Sequence, residues 1–183
     1  DVIKEDSKVA IRKLKDMGVG ETIMLTGDNE STAQTVGAKL GIDRVYAELL
    51  PHEKLEELEN IEKERNHKGT VVFIGDGIND SPAIARAKVG VAMGGLGADA
   101  AIEAADIVLM TDQVSKLTDA IEVARKTRRI VMQNVVFAIG VKVFVLILGA
   151  LGLATMWQAV FADVGVTVLA VLNAMRILIA PSK

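Results

Sequence analysis

Cysteine is absent from the 183 residues, which excludes disulfides, thiolate metal ligands and cysteine nucleophiles within this chain. A basic stripe is also missing: residues 1–133 carry a net charge of −5 and the last fifty residues +2, so nothing points to nucleic-acid binding. No signal peptide opens the sequence, and no repeat or low-complexity tract is visible. The start at Asp1, with a helix-like pattern following almost at once, predicts a piece of something longer. The most informative scarcity is of charge. From Asn134 to Lys183 only Lys142, Asp163, Arg176 and Lys183 are charged, against 41 charged residues in the first 133. The front has the makeup of a soluble domain long enough to bury a core, and the back that of a membrane segment.

Over residues 1–133 short β-rich runs alternate with helical ones. Thr22–Leu25, Thr70–Ile74, Val89–Met93 and Asp106–Met110 read as buried strands, with a shorter one near Tyr46. Helical patterns cover about 6–17, 30–40, 52–66, 80–87, 98–104 and 115 onward. Continuous apolar strands alternating with helices predict an α/β fold, a Rossmann-like parallel sheet with helices on both faces. In such sheets ligands bind at the carboxyl ends of the strands. Two strands end there in polar, glycine-bearing turns, Thr26-Gly27-Asp28-Asn29 and Gly75-Asp76-Gly77-Ile78-Asn79-Asp80. Either turn alone reads equally as a capped strand-to-helix connection; the pair, rich in carboxylates on one edge, points to a site.

The last fifty residues predict a transmembrane helical hairpin, with spans at about 134–154 and 158–179. About 20 residues at 1.5 Å each cross a hydrocarbon core of about 30 Å. Thr155-Met156-Trp157-Gln158 is expected to turn the chain, with Trp157 at the far interface. Arg125, Lys126, Arg128 and Arg129 precede the first span, and Arg176 and Lys183 end the second, which places both ends and the front domain in the cytoplasm. A buried soluble hairpin is the alternative. No Pro or Gly interrupts Ser115 to Ile139, so one helix is expected to run from the front domain into the bilayer.

The chemistry these residues offer follows from their types. Thr26 supplies a hydroxyl, and the backbone N–H groups around Gly27 and Asp28 can face an anion. Asp76 and Asp80 are hard oxygen donors suited to Mg²⁺. Lys54, early in a helix within Pro51-His52-Glu53-Lys54, can neutralise a transferring phosphoryl group, although alone it reads as a solvated helix lysine. His52 and His67 are isolated in polar stretches and read as surface residues.

The runs Thr26-Gly27-Asp28-Asn29, Pro51-x-x-Lys54 and Gly75-Asp76-Gly77-Ile78-Asn79-Asp80 resemble the later motifs of the haloacid-dehalogenase superfamily, in the form found in P-type ATPases. Val89 to Met110, with Met93-Gly94-Gly95 and Ala101-Ile102-Glu103-Ala104-Ala105-Asp106, is similar to the segment those pumps place next, so the resemblance covers essentially the whole chain. It implies that Thr26 and Lys54 hold the phosphoryl group and Asp76 binds Mg²⁺. Asp80 with Asn79 would orient the metal and phosphate shell, and Thr26, Gly27 and Asp28 would approach the terminal phosphates of ATP. Residues 1–133 would then be part of a cytoplasmic phosphorylation domain.

The family's nucleophile, the Asp of Asp-Lys-Thr-Gly-Thr, does not occur here, nor do the nucleotide-binding insert, the actuator domain or the Cys-Pro-Cys-type helices. All precede this segment in the family, so the resemblance implies a C-terminal part of a pump, inactive alone, with those upstream domains as its partners. In the hairpin, Lys142 and Asp163 fall at similar depths and are expected to pair near the midplane. They are either transport-site residues or an ion pair fixing the register. With Ala162-Asp163-Val164-Gly165 and Leu172-Asn173-Ala174-Met175-Arg176, the hairpin resembles the heavy-metal pumps that export Zn²⁺, Cd²⁺ and Pb²⁺. Asp163 would be a ligand for the transported ion and Lys142 its counter-charge. The competing functions are a membrane-anchored phosphatase of the same superfamily and a non-catalytic module that binds Mg²⁺ and phosphate.

Overall fold

The computed structural model describes residues 5–65, 69–75, 78–94 and 99–178. The chain divides into two compact units, Asp1–Thr118 and Asp119–Lys183.

The first unit opens with α1 (Glu5–Asp16), whose Ala10, Ile11 and Leu14 are buried on one face. Then come β1 (Ile23–Leu25), α2 (Glu30–Leu40) and β2 (Arg44–Tyr46), with β1 and β2 parallel in the register Ile23↔Arg44, Met24↔Val45 and Leu25↔Tyr46. Next are α3 (Pro51–Arg65), β3 (Val72–Gly75), a 3₁₀ turn at Ile78–Asp80, α4 (Ser81–Arg86), β4 (Val89–Met93), α5 (Asp99–Ala104) and β5 (Ile107–Leu109). Strands β3, β4 and β5 form a second parallel sheet with β4 in the middle. Each parallel pair is joined by a helix, as parallel strands require.

Two findings differ from the sequence expectation of one sheet of buried strands. The described strands form a pair and a trio, so β1 and β3 each keep an edge with no strand partner among the described residues. Burial follows from that: only β4 is buried through its centre, while Val72 on β3 stays 40% exposed. The best-packed core lies beside β4, where Ile84, Ala92 and Ala101 are closed off by Phe73, Ala104 and Ala105. Burying Ile84 there contributes about 1.5–3 kcal/mol.

The second unit holds most of α6 (Ser115–Ala150) and all of α7 (Met156–Met175). Both are long and apolar enough to cross a membrane. One unbroken α-helix spans Ser115–Ala150, as the lack of Pro and Gly up to Ile139 predicts. The turn between the helices falls earlier than expected. Gly152 takes φ 72°, a conformation that favours glycine, while the Leu153 N–H reaches back to Leu148 O (2.9 Å) and the Gly152 N–H to Gly149 O (3.0 Å). Thr155 and Gln158, expected to make the turn, instead cap α7 reciprocally, each side chain bonded to the other residue's backbone N–H.

The α6–α7 seam is lined by half-buried Asn134, Ala138, Val141 and Val145 against Ala162, Val166, Ala170 and Asn173. The small residues among these, Ala138, Ala162 and Ala170, let apolar helices approach closely. Asn134 donates to Ala170 O (3.0 Å), Asn173 donates to Asn134 Oδ1 (2.8 Å), and Arg176 donates to Asn173 Oδ1 (3.1 Å). This amide ladder fixes one antiparallel register in a seam that apolar packing alone specifies weakly.

Candidate functional site

The first unit gathers two of the sequence motifs at the carboxyl end of β1 and the start of α3. Thr26, half-buried, extends the β1–β2 ladder by one bond, its N–H donating to Tyr46 O (3.0 Å). Its hydroxyl oxygen accepts the Asp28 N–H at 3.1 Å, and among the described residues the hydroxyl proton has no acceptor, so it can donate to a ligand. In this structure the Asp28 N–H is thus bonded inside the turn. Gly27 and Asp28 are exposed at the loop tip. Asn29 caps α2 by accepting the Thr32 N–H at 2.9 Å, an arrangement that contributes about 1 kcal/mol.

The start of α3 is specified locally. Pro51 occupies the first helical position, and Glu53 reaches back to accept the Leu50 N–H at 2.7 Å. That fixes Lys54 in the first turn, its own N–H donating to Leu50 O. The Leu49 N–H donates to Thr26 O at 3.0 Å, so the Thr26 loop and the base of α3 are stitched together.

The third motif joins through Asp80. Lys54 Nζ lies 3.0 Å from Asp80 Oδ1, with only 19% and 14% of the two side chains exposed. Asp80 folds back over the end of β3 so closely that a Cβ on Gly75 would lie 2.6 Å from Asp80 Cβ. The glycine before the acidic run is therefore required by this close approach. Asn79 is exposed beside Asp80. Asp76 and Gly77 lie outside the described residues, as does His67; His52 is exposed on α3. Among the described residues no group of three or more His, Cys, Asp or Glu side chains is arranged to hold a metal ion. A hard divalent cation nonetheless suits the chemistry here: Asp80 offers a carboxylate whose Oδ2 accepts no hydrogen bond from the described residues, held by a lysine that would keep it in the outer shell.

Away from this edge, at the start of β1, Asp43 accepts from Lys15 Nζ (2.5 Å) and from the Thr22 hydroxyl (2.7 Å) and N–H (2.8 Å). The Lys15 bond first, and then those from Thr22, lower its pKa from 3.8 to about 2. This knot ties α1 to the β1–β2 pair and takes no part in the site.

In the second unit Lys142 Nζ of α6 lies 3.3 Å from Asp163 Oδ1 of α7. The pair sits beside the seam, with 65% and 62% of its side chains exposed in this two-helix unit. Thr167 Oγ1 donates to the Asp163 carbonyl at 2.9 Å, one turn along α7. Neither the Asn134–Asn173 ladder nor the Asp43 knot was singled out from the sequence; for the ladder, two amides in otherwise apolar runs were the available signal.

A family profile for haloacid dehalogenase-like hydrolases matches residues 1–88. The cadmium, zinc and cobalt-transporting ATPase of Bacillus subtilis is 58% identical over 183 residues, 100% of this chain and 26% of that protein. The zinc-transporting ATPase of a Synechocystis species is 60% identical over 177 residues, 97% of this chain and 24% of that protein. A crystal structure of a zinc-transporting PIB-type ATPase in its E2.Pi state superimposes with a TM-score of 0.89 at 38% identity, over 97% of this chain and 28% of that one. The chain thus spans about a quarter of the length of the curated relatives it matches. With a haloacid-dehalogenase-like hydrolase fold in its front unit and two long apolar helices after it in sequence, the chain is related over essentially its whole length to one segment of P-type ATPases that transport cadmium and zinc.

Proposed function

We propose that this chain supplies the phosphate-handling edge and two membrane helices of an ATP-driven pump that exports divalent heavy-metal cations, Zn²⁺, Cd²⁺ or Pb²⁺. The observation that carries the reading is the Lys142–Asp163 contact in a hairpin otherwise almost free of charge. Ionisable groups at membrane depth are costly and are retained for function. Asp163 is a carboxylate ligand for the transported ion, and Lys142 replaces that ion when it leaves.

At the strand edge, the Thr26 hydroxyl donates to a phosphoryl oxygen and the Lys54 ammonium neutralises developing negative charge. Asp80 keeps Lys54 in place, Asn79 borders the same shell, and Gly27 and Asp28 approach the terminal phosphates of ATP. Mg²⁺, held through Asp76 with Asp80 behind it, would supply charge neutralisation on the phosphate oxygens. The phosphoryl acceptor is an aspartate of an Asp-Lys-Thr-Gly-Thr run outside this sequence, so the chain alone is expected to turn over no ATP. The cluster Arg125, Lys126, Arg128 and Arg129 supports a cell-membrane location with the phosphorylation domain, residues 1–133, on the cytoplasmic side and residues 134–183 in the bilayer.

The test is a chimera in which this chain replaces the matching segment of the Bacillus subtilis relative. Asp163→Ala is expected to abolish Zn²⁺- or Cd²⁺-stimulated ATP hydrolysis, and retained stimulation rejects the ion-site role. Asp76→Ala is expected to block phosphoenzyme formation, and normal ³²P incorporation from ATP rejects the Mg²⁺ role. A second reading, a non-catalytic module that binds Mg²⁺ and phosphate, is favoured by the absent aspartyl motif; it predicts a chimera with no phosphoenzyme at all. A membrane-anchored phosphatase has no use for the Lys142–Asp163 pair.

A further inference from the structure

Glu48 has φ 56° and is the one non-glycine among the described residues with a positive φ. A side chain with a Cβ is disfavoured there by about 1–2 kcal/mol, and such strain persists only where the surroundings hold it. The surroundings are the Thr26 loop. The Glu48 N–H donates to Asp28 O at 2.8 Å, and the next N–H, of Leu49, donates to Thr26 O at 3.0 Å. The Glu48 carboxylate accepts the Glu30 N–H at 3.4 Å, at the first residue of α2. The left-handed turn at Glu48 brings consecutive N–H groups onto two carbonyls of one loop, which extended backbone, alternating its N–H groups between opposite edges, does not do. Three residues later α3 begins, carrying Lys54. Glycine would relieve the backbone but would leave the α2 N-terminus without its carboxylate.

We infer that Glu48 is a positioning residue that fixes the Thr26–Gly27–Asp28 loop against the base of α3, and so sets the Thr26 hydroxyl relative to the Lys54 ammonium. This rests on the reading that Thr26 and Lys54 grip one phosphoryl group. Its backbone bonds hold the loop, and its carboxylate holds the turn in the strained conformation by tying it to α2.

The chimera described above tests this with Glu48→Ala, Glu48→Gly and Glu48→Gln, beside Lys54→Ala as the control for the underlying reading. Glu48→Ala and Glu48→Gly are expected to lower kcat/KM for ATP on the order of tenfold or more, since small misplacements of positioning groups cost that much. The metal concentration for half-maximal stimulation should not move. Glu48→Gln keeps an acceptor for the Glu30 N–H and is expected to retain activity within about twofold. In the 183-residue chain itself, hydrogen exchange of the Glu30 and Glu48 amides should quicken in Glu48→Ala and not in Glu48→Gln. If Lys54→Ala abolishes phosphoenzyme formation while all three Glu48 variants match the parent, the positioning role is overturned. If Glu48→Gly alone matches the parent, the carboxylate is dispensable and the inference fails. If Lys54→Ala leaves phosphoenzyme formation intact, the reading beneath it fails instead.

Discussion

Two Lys–Asp pairs of the same chemistry occupy opposite circumstances. Lys54–Asp80 is closed at 3.0 Å with less than a fifth of either side chain exposed. Lys142–Asp163 is closed at 3.3 Å with nearly two thirds of each side chain bare. In water the second would be worth about 0–1 kcal/mol and would not repay the ordering of two long side chains. In the membrane placement proposed for α6 and α7, a bare ion pair on helices this apolar is the expensive one to leave against lipid. The first pair, by contrast, is shielded by its own fold, through the return of Asp80 over Gly75. Exposure therefore carries opposite meanings in the two units. A third pair, Lys15–Asp43, with 37% and 39% of its side chains exposed, supplies the ordinary aqueous reference.

The comparison breaks most readily in the hairpin. Lys142→Met or Asp163→Asn alone should leave one unpaired charge on an apolar helix and reduce the folded chimera recovered from membranes, reflecting a cost of several kcal/mol. The double variant should be recovered better than either single one. Equal recovery of singles and double would mean that the pair is solvated. At the strand edge the same logic applies with a smaller effect. Lys54→Met should destabilise the protein by about 2 kcal/mol, below the range for a fully buried pair, with Lys54→Met/Asp80→Asn less damaging in a denaturation series. Gly75→Ala sharpens the point without touching either charge. Its Cβ would push on Asp80 Cβ, and a loss of about 1–3 kcal/mol in the same series is expected.

The smallest effect belongs to the aqueous pair. Because the pKa of Asp43 is lowered from 3.8 to about 2, its contribution is present above pH 3.8 and is lost as the pH falls toward 2. Asp43→Asn should therefore melt slightly below the parent at neutral pH, and the gap should close between pH 4 and pH 2. A gap that widens on acidification would contradict the Lys15–Thr22–Asp43 geometry.

Much of this was legible in the residues. The apolar runs at β3, β4 and β5, and the periodic stretches that became α2 and α3, appear where pattern places them, because burial period is a local property. The Thr26, Lys54 and Asp80 motifs were legible as types and spacings; that Lys54 closes on Asp80 was not, because 26 residues separate them and only the packing of α3 beside the end of β3 brings them together. Glu48 was invisible for a related reason: in sequence it is one more glutamate, and its significance lies in a backbone angle set by its neighbours. The hairpin turn was misplaced by a few residues because Gly152 and the Thr155–Gln158 cap compete for the same stretch, and cap geometry settled it.

By itself the sequence determined the division into a charged front and an apolar back, the alternation of strands and helices, and the inventory of carboxylates, lysines and hydroxyls able to meet phosphate and metal. Those are properties of composition and local period, which any chain with this order of residues shares. Only the tertiary structure decided that the strands part into a pair and a trio, that Asp80 folds over Gly75 onto Lys54, and that the Asn134–Asn173 ladder fixes the helical register; the Lys142–Asp163 pairing was already expected from matching depths in the sequence, and the structure added its exposure. Each is a contact between residues distant in the chain, and its geometry follows from packing that no single segment contains.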